Sequence, residues 1–193
     1  NPDKDGPAPH YEGKGATYRN EAGHDALLIA AAQGKFEVVK FLLDHEKMDL
    51  TSAGEDGANV LHWAIISGSE DMARWLVEEA GMSVSSTDTW GNSAAHYAAC
   101  CGQLGLLRWL AEEKRLDLQQ ESRQAYTVLD WAIMKKHQQI VDWLQQKLGI
   151  VVDEALLRRT AEKQKAAATA AAEGGVSGFM SQQLVASNPK VML

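Results

Sequence analysis

Two cysteines, four prolines and no long apolar run set the first limits on this chain of 193 residues. Cys100 and Cys101 are adjacent, and neighbours in sequence rarely reach disulfide geometry. They read as reduced thiols, which points to an intracellular, reducing compartment: the cytosol or nucleus, or an organelle after processing. No apolar stretch approaches the roughly 18 to 20 residues that cross a bilayer, so membrane insertion is not expected. Positive charge is also scarce: 19 Lys and Arg face 26 Asp and Glu, a net charge of −7. Nucleic-acid affinity rests on clustered Lys and Arg, so no nucleic-acid partner is expected. Motifs that carry chemistry are missing as well. There is no Gly-rich phosphate loop, nucleophile elbow or paired-acid constellation, and the six His show no zinc-type spacing with Cys. No enzyme activity, metal or cofactor is expected. The chain starts at Asn1 rather than Met, which reads as a fragment or as a mature form after removal of a leader.

What is present is a repeat. Apolar residues make up 45% of the chain and charged residues 23%, ordinary values for a globular domain. Shifting the sequence on itself by 34 residues aligns Gly23, Gly57, Gly91 and Ala125. It also aligns Leu27, Leu61, Ala95 and Leu129, then Ala30, Ala64, Ala98 and Ala132, then Gly34, Gly68, Gly102 and Lys136. Phe41, Trp75, Trp109 and Trp143 follow, each with a Leu behind it. Each unit reads as two short helices. In the second, Leu61, Ala64 and Ile65 share one helical face. Gly68 breaks the chain, Ser69 can cap the next helix, and Met72, Trp75 and Leu76 make its buried face. Helices this short are marginal alone. Stacked neighbours must supply the core.

The pattern resembles the ankyrin repeat, whose unit reads roughly G-x-T-P-L-H-x-A-A-x-x-G, then a second helix rich in V-V-x-L-L, then a finger. Gly57-Ala58-Asn59-Val60-Leu61-His62-Trp63-Ala64 and Gly91-Asn92-Ser93-Ala94-Ala95-His96-Tyr97-Ala98-Ala99 carry it, with Gly68 and Gly102 in place. Phe36 to Leu43 gives the clearest second helix. The units depart from the family in being 34 residues long, in lacking the Pro, and in replacing the His by Leu28 and Asp130 in the end units. The resemblance implies an all-α solenoid of four helix-turn-helix units over 23–152 (23–56, 57–90, 91–124, 125–152). An extended arm over 1–22 precedes it. An Ala-rich helix over 153–173, capped by Asp153, and an apolar tail over 174–193 follow.

The resemblance also implies function: a non-catalytic module that binds a protein partner on the concave face built from fingers and first helices. Column by column, the surface expected to touch a partner is Glu55, Asp56, Ala58, Ile66, Thr89, Trp90, Asn92, Cys100, Cys101, Arg123, Tyr126, Met134 and Lys135. Trp90 stands where the other units have Ala22, Asp56 and Gln124, as a binding anchor or as a ring lying on the neighbouring finger. His62 and His96 are expected to bond backbone near the finger, as that His does in the family. Cys100-Cys101 reads as contact surface or packing rather than a redox pair. Trp75, Trp109 and Trp143 read as core, Trp63, Tyr97 and Trp131 as seals between units, and the Glu78-Glu79 and Glu112-Glu113 pairs as a solvated face. In the tail, Phe179, Met180 and Leu184 are apolar groups in search of a partner. The rival reading is a permanent subunit of a large multi-protein assembly, organellar assemblies included, wrapped in place by its two extensions.

Overall fold

A computed structural model describes residues 19–172. The tail 174–193, with Phe179, Met180 and Leu184, and residues 1–18 of the N-terminal arm lie outside the described residues. Within them the chain forms nine helices and no strand. Four pairs follow one another: α1 (Ala26–Ala32) with α2 (Phe36–Asp44), α3 (Val60–Ile66) with α4 (Glu70–Glu78), α5 (Ala94–Cys100) with α6 (Leu104–Glu112), and α7 (Val128–Met134) with α8 (Gln138–Leu148). The last helix, α9, spans Glu154–Ala172. The first helices stack in chain order, α1 on α3, α3 on α5 and α5 on α7, each with its own second helix beside it.

The aligned columns explain this arrangement. Ala64, Ala98 and Ala132 are fully buried, and their small side chains let successive first helices close up. The central helices α3 and α5 are buried along their whole length, since units on both sides cover them. Between pairs, backbone hydrogen bonds join the fingers. The N–H of Glu55 donates to the Ala22 carbonyl (3.3 Å), that of Thr89 to Asp56 (2.9 Å) and that of Arg123 to Trp90 (2.7 Å). Gly91 must be glycine at this joint. Its φ is +78°, and a Cβ there would stand 3.2 Å from the Arg123 nitrogen. In the fourth unit Ala125 takes the place at φ 58°, because no further finger crowds it. The same reasoning covers Gly102, where a Cβ would meet the His137 ring at 2.8 Å, and its unstacked counterpart Lys136.

The second-helix aromatic column departs from the expectation of a uniform core. Trp109 and Trp143 are 2% and 8% exposed, Trp75 is half-buried, and Phe41 is 51% exposed. Each ring is covered by the unit before it, and the first unit has none among the described residues. The covering group is a cation one column away: Lys40 over Trp75 (5.8 Å to the ring centre), Arg74 over Trp109 (5.0 Å) and Arg108 over Trp143 (5.9 Å). The acidic pairs are likewise more than a solvated face. Glu78 accepts from the Trp109 indole (3.2 Å) and pairs with Lys114 (2.8 Å), Glu113 pairs with Arg74 (3.7 Å), and Glu112 with Lys147 (3.5 Å). All four bonds join one unit to the next. Ser69 stands at its cap position, but its hydroxyl meets Ser67 rather than the helix backbone.

The Ala-rich helix was expected to be solvated or packed through alanines; its packing face is more polar than that. Leu156, Thr160, Lys163 and Ala167 recur at spacings of four and three and turn toward α7. Asp153 caps it through the Leu156 N–H (2.8 Å).

Emptying the aromatic column should therefore cost different amounts at its two ends. Trp109→Ala should destabilise the fold by about 3 to 5 kcal/mol, and Phe41→Ala by less than about 1 kcal/mol. Urea melts of the two variants measure both, and equal losses would refute the one-sided covering.

Candidate functional site

Each first helix begins with a residue in extended backbone that caps it, and in α3, α5 and α7 the residue three positions on reaches back. In the second unit Asn59 Oδ1 accepts from the N–H groups of Leu61 and His62, while His62 Nδ1 accepts from the Asn59 N–H (3.1 Å). In the third, His96 Nδ1 accepts from the Ser93 N–H (3.1 Å). That leaves the His96 proton on Nε2, which donates across to the next finger, to the carbonyls of Gln120 (3.1 Å) and Tyr126 (3.2 Å). His62 Nε2 faces the Ser86 backbone in the matching position, short of a well-formed hydrogen bond. Both imidazoles are fully buried. Burial drives His62 down to about 4 and His96 below its ordinary value, so both are neutral structural rings.

The end units make the same tie with other groups. In the first, Asp25 caps Leu28 (3.0 Å), and its second oxygen accepts from the Ser52 hydroxyl of the next finger. Arg19 reinforces the joint by donating to the carbonyls of Gly23 (2.6 Å) and Ala53 (2.7 Å). In the fourth, Asp130 stands in the His column. Its Oδ2 accepts from the Thr127 N–H (2.9 Å) and from the Lys163 ammonium (2.8 Å); its Oδ1 accepts from the Thr160 hydroxyl (2.6 Å). Lys163 also donates to the Ala125 carbonyl. Burial pushes the Asp130 carboxyl up. The Lys163 ammonium, the Thr160 hydroxyl and the Thr127 N–H outweigh burial and hold it below the usual carboxylate range.

This succession of helix pairs joined through fingers is matched by a family model. The model describes ankyrin repeats and covers residues 10–88 and 81–155. The chain belongs to the ankyrin-repeat family. No curated protein matches it. Ankyrin repeats generally mediate protein–protein interaction and are typically non-catalytic. Among the described residues no helix is long and apolar enough to cross a membrane, and no group of three His, Cys, Asp or Glu could hold a metal ion.

The ankyrin framework divides the expected contact residues in two. Glu55, Thr89 and Arg123 are exposed at the finger tips, and Trp90, Cys101, Met134 and Lys135 are half-buried. Asp56, Ala58, Ile66, Asn92, Cys100 and Tyr126 are buried, which corrects their reading as surface. The reasons are local. Asp56 folds its own finger, Oδ1 accepting from the Ala58 N–H (3.0 Å). The Asn92 amide donates to Asp88 Oδ2 (2.8 Å). Tyr126 lies against Trp131 at 5.4 Å between ring centres. Burial pushes the Cys100 thiol up to about 12 and Cys101 higher still, so neither is an activated nucleophile.

Sequence reasoning missed Asp88 and the Thr160–Lys163 pair. Asp88 organises the Trp90 finger, its oxygens accepting from the N–H groups of Trp90 (2.9 Å) and Asn92 (2.8 Å) and from the Tyr97 hydroxyl (2.9 Å). Its signal was available as an Asp two residues before the finger tip, matching the capping habit of Asp in turns. Two of the three expected seals bridge units: Trp63 meets His24 edge-on at 4.8 Å and Tyr97 stacks on His62 at 4.7 Å, whereas Trp131 meets Tyr126 of its own unit. A recess of about 400 Å3 opens where α9 leaves the last unit, lined by Leu118, Leu129, Leu148, Ile150 and Leu156, with Arg159 at its edge.

Two outcomes follow from the buried ties. Because the folded His62 resists protonation while the unfolded chain takes a proton near 6.5, acid favours the unfolded state. Stability should fall as pH drops from about 6.5 toward 4, by on the order of 3 kcal/mol for His62. Urea midpoints at pH 7 and pH 5 measure this, and equal midpoints would contradict it. Asp130→Asn should cost about 1 to 3 kcal/mol and speed amide exchange around Thr160, whereas unchanged exchange would show that α9 docks by other means.

Proposed function

We propose that this ankyrin-repeat chain holds a protein partner along its finger tips and the ends of its first helices, with Trp90 as the central anchor. The observation that carries the reading is the contrast within each finger. Asp56, Asp88 and Asn92 are buried and hydrogen-bonded within their own fingers, while Glu55, Thr89, Trp90 and Arg123 lie at the outer joints of a hydrogen-bonded ladder. Backbone held in this way is ordered before a partner arrives, which lowers the ordering cost of binding. Aromatic side chains on such a support are the usual source of binding energy. Cys101, Met134 and Lys135 extend the surface with soft, adaptable contacts at the ends of α5 and α7.

The second reading, a permanent subunit of a larger assembly, draws on apolar groups left outside the core near α9. Val151 is 77% and Leu157 45% exposed. The two readings separate on the isolated chain: an adaptor is monomeric and soluble, and a subunit self-associates or co-purifies with fixed partners.

Trp90→Ala should weaken capture of the partner by roughly tenfold or more and leave the thermal midpoint nearly unchanged. A pull-down from the native source, read by mass spectrometry with wild-type and variant bait in parallel, measures the first; a thermal melt measures the second. A lowered midpoint with undiminished capture would make Trp90 a packing residue and sink the proposal.

A further inference from the structure

The outer face of the first unit is unlike a finished end. Terminal repeats ordinarily turn a polar face to water. Here Val38 is 46% and Phe41 51% exposed, side by side on α2. Their columns are core elsewhere. Met72, Leu106 and Ile140 match Val38 and are 0–1% exposed, and Trp109 and Trp143 match Phe41. Leu42 is half-buried where Leu76, Leu110 and Leu144 are fully buried. Each buried member follows an earlier second helix, and α2 follows none among the described residues. Three columns thus end on α2 as a surface shaped to receive one more helix.

The charges say what kind of helix. Within the stack, the preceding helix lays a Lys or Arg on each Trp, at 5.0 to 5.9 Å from the ring centre. Phe41 is the first ring of that series. The next contact along is also charged: Glu78 pairs with Lys114 of the following unit. In the first unit the Lys114 position is Glu46, and the exposed Glu37 and Asp44 flank Phe41 on the same side of α2. An arriving helix ending in acids, as α4 does with Glu78 and Glu79 and α6 with Glu112 and Glu113, would meet Glu46 with like charge. The second helix a further copy would bring is α8, which has Asp142 in the column of Lys40, Arg74 and Arg108 and so offers Phe41 no cation; that disfavours self-stacking of this chain. The wider field favours a basic occupant: residues 19–122 carry 17 acidic and 8 basic side chains. By the 34-residue register the missing second helix would fall on residues 2–10, where Pro2, Gly6, Pro7 and Pro9 are poor helix material.

We infer that the α2 face built on Val38 and Phe41 docks a basic amphipathic helix of a partner protein, stacked in the place of a preceding repeat. The partner helix puts a Lys or Arg on the Phe41 ring, an apolar side chain on Val38 and a second cation opposite Glu46. This surface is separate from the finger tips, so it stands or falls apart from the proposed groove.

The test uses the full chain, isotopically labelled, and a synthetic peptide copying residues 68–82 with Glu78→Lys and Glu79→Lys. The expected result is saturable resonance shifts confined to Val38, Phe41 and His45. Binding should be at least fivefold weaker for the unaltered peptide, and lost in Phe41→Glu, whose melting is otherwise that of the wild type. Equal binding of the two peptides, undiminished binding to Phe41→Glu, or no shift with either peptide overturns the inference. So do two results obtained without peptide. Nuclear Overhauser contacts from residues 1–18 to Phe41 would give the face to the chain's own arm. Concentration-dependent shifts at Phe41 would give it to a second copy.

Discussion

The structure depends on one kind of tie, made in three of the four units by a hydrogen bond from the base of the first helix to the element that follows. In the third unit it is His96 donating to the Gln120 and Tyr126 carbonyls; in the fourth it is Asp130 gripping Thr160 and Lys163; in the first it is Asp25 and Arg19 on Ser52 and its neighbours. Buried polar groups are costly unless partnered. A cap that reaches the next unit satisfies its own helix and makes that helix's stability conditional on the neighbour. This is how four pairs of helices, each too short to stand alone, become one cooperative stack.

The two ends of the stack are finished differently. At the C-terminal end an aspartate replaces the family's His, and a helix rather than a finger answers it. A neutral ring would have had nothing to offer the Lys163 ammonium; a carboxylate binds it and the Thr160 hydroxyl at once. Glycine is relaxed at this end for the same reason, with Ala125 and Lys136 standing where earlier units need Gly against a following neighbour. At the N-terminal end Arg19 ties the fingers, yet α2 keeps its apolar columns in the open. Covering runs in one direction along the chain, cation over ring, and among the described residues no helix pair precedes the first ring.

This direction also separates support from contact. Asp56, Asp88 and Asn92 spend their side chains on hydrogen bonds that order their own fingers, and Glu55, Thr89 and Arg123 beside them are exposed. The thiols follow the same division by depth: Cys100 is packed within α5, and its carbonyl accepts from His137 of the next pair (3.0 Å), so the Cys-Cys step is part of the stacking. These ankyrin repeats thus turn much of their polar chemistry inward, toward their own fingers and helices.

The sequence by itself determined the number of helix pairs, their boundaries near Gly34, Gly68 and Gly102, the Trp columns and the family, because these follow from periodicity and local capping, which are properties of neighbouring residues. It also marked the end units, through Leu28, Ala125, Asp130 and Lys136. Only the tertiary structure decided which members of a column are buried, since Phe41 and Trp109 occupy the same local position and differ only in what stacks before them. It decided as well that Asn92 and Tyr126 are support rather than surface, and that Asp130 reaches Thr160 and Lys163, about thirty residues on. Burial and long-range pairing depend on what the rest of the chain brings alongside, and no window along the sequence contains that.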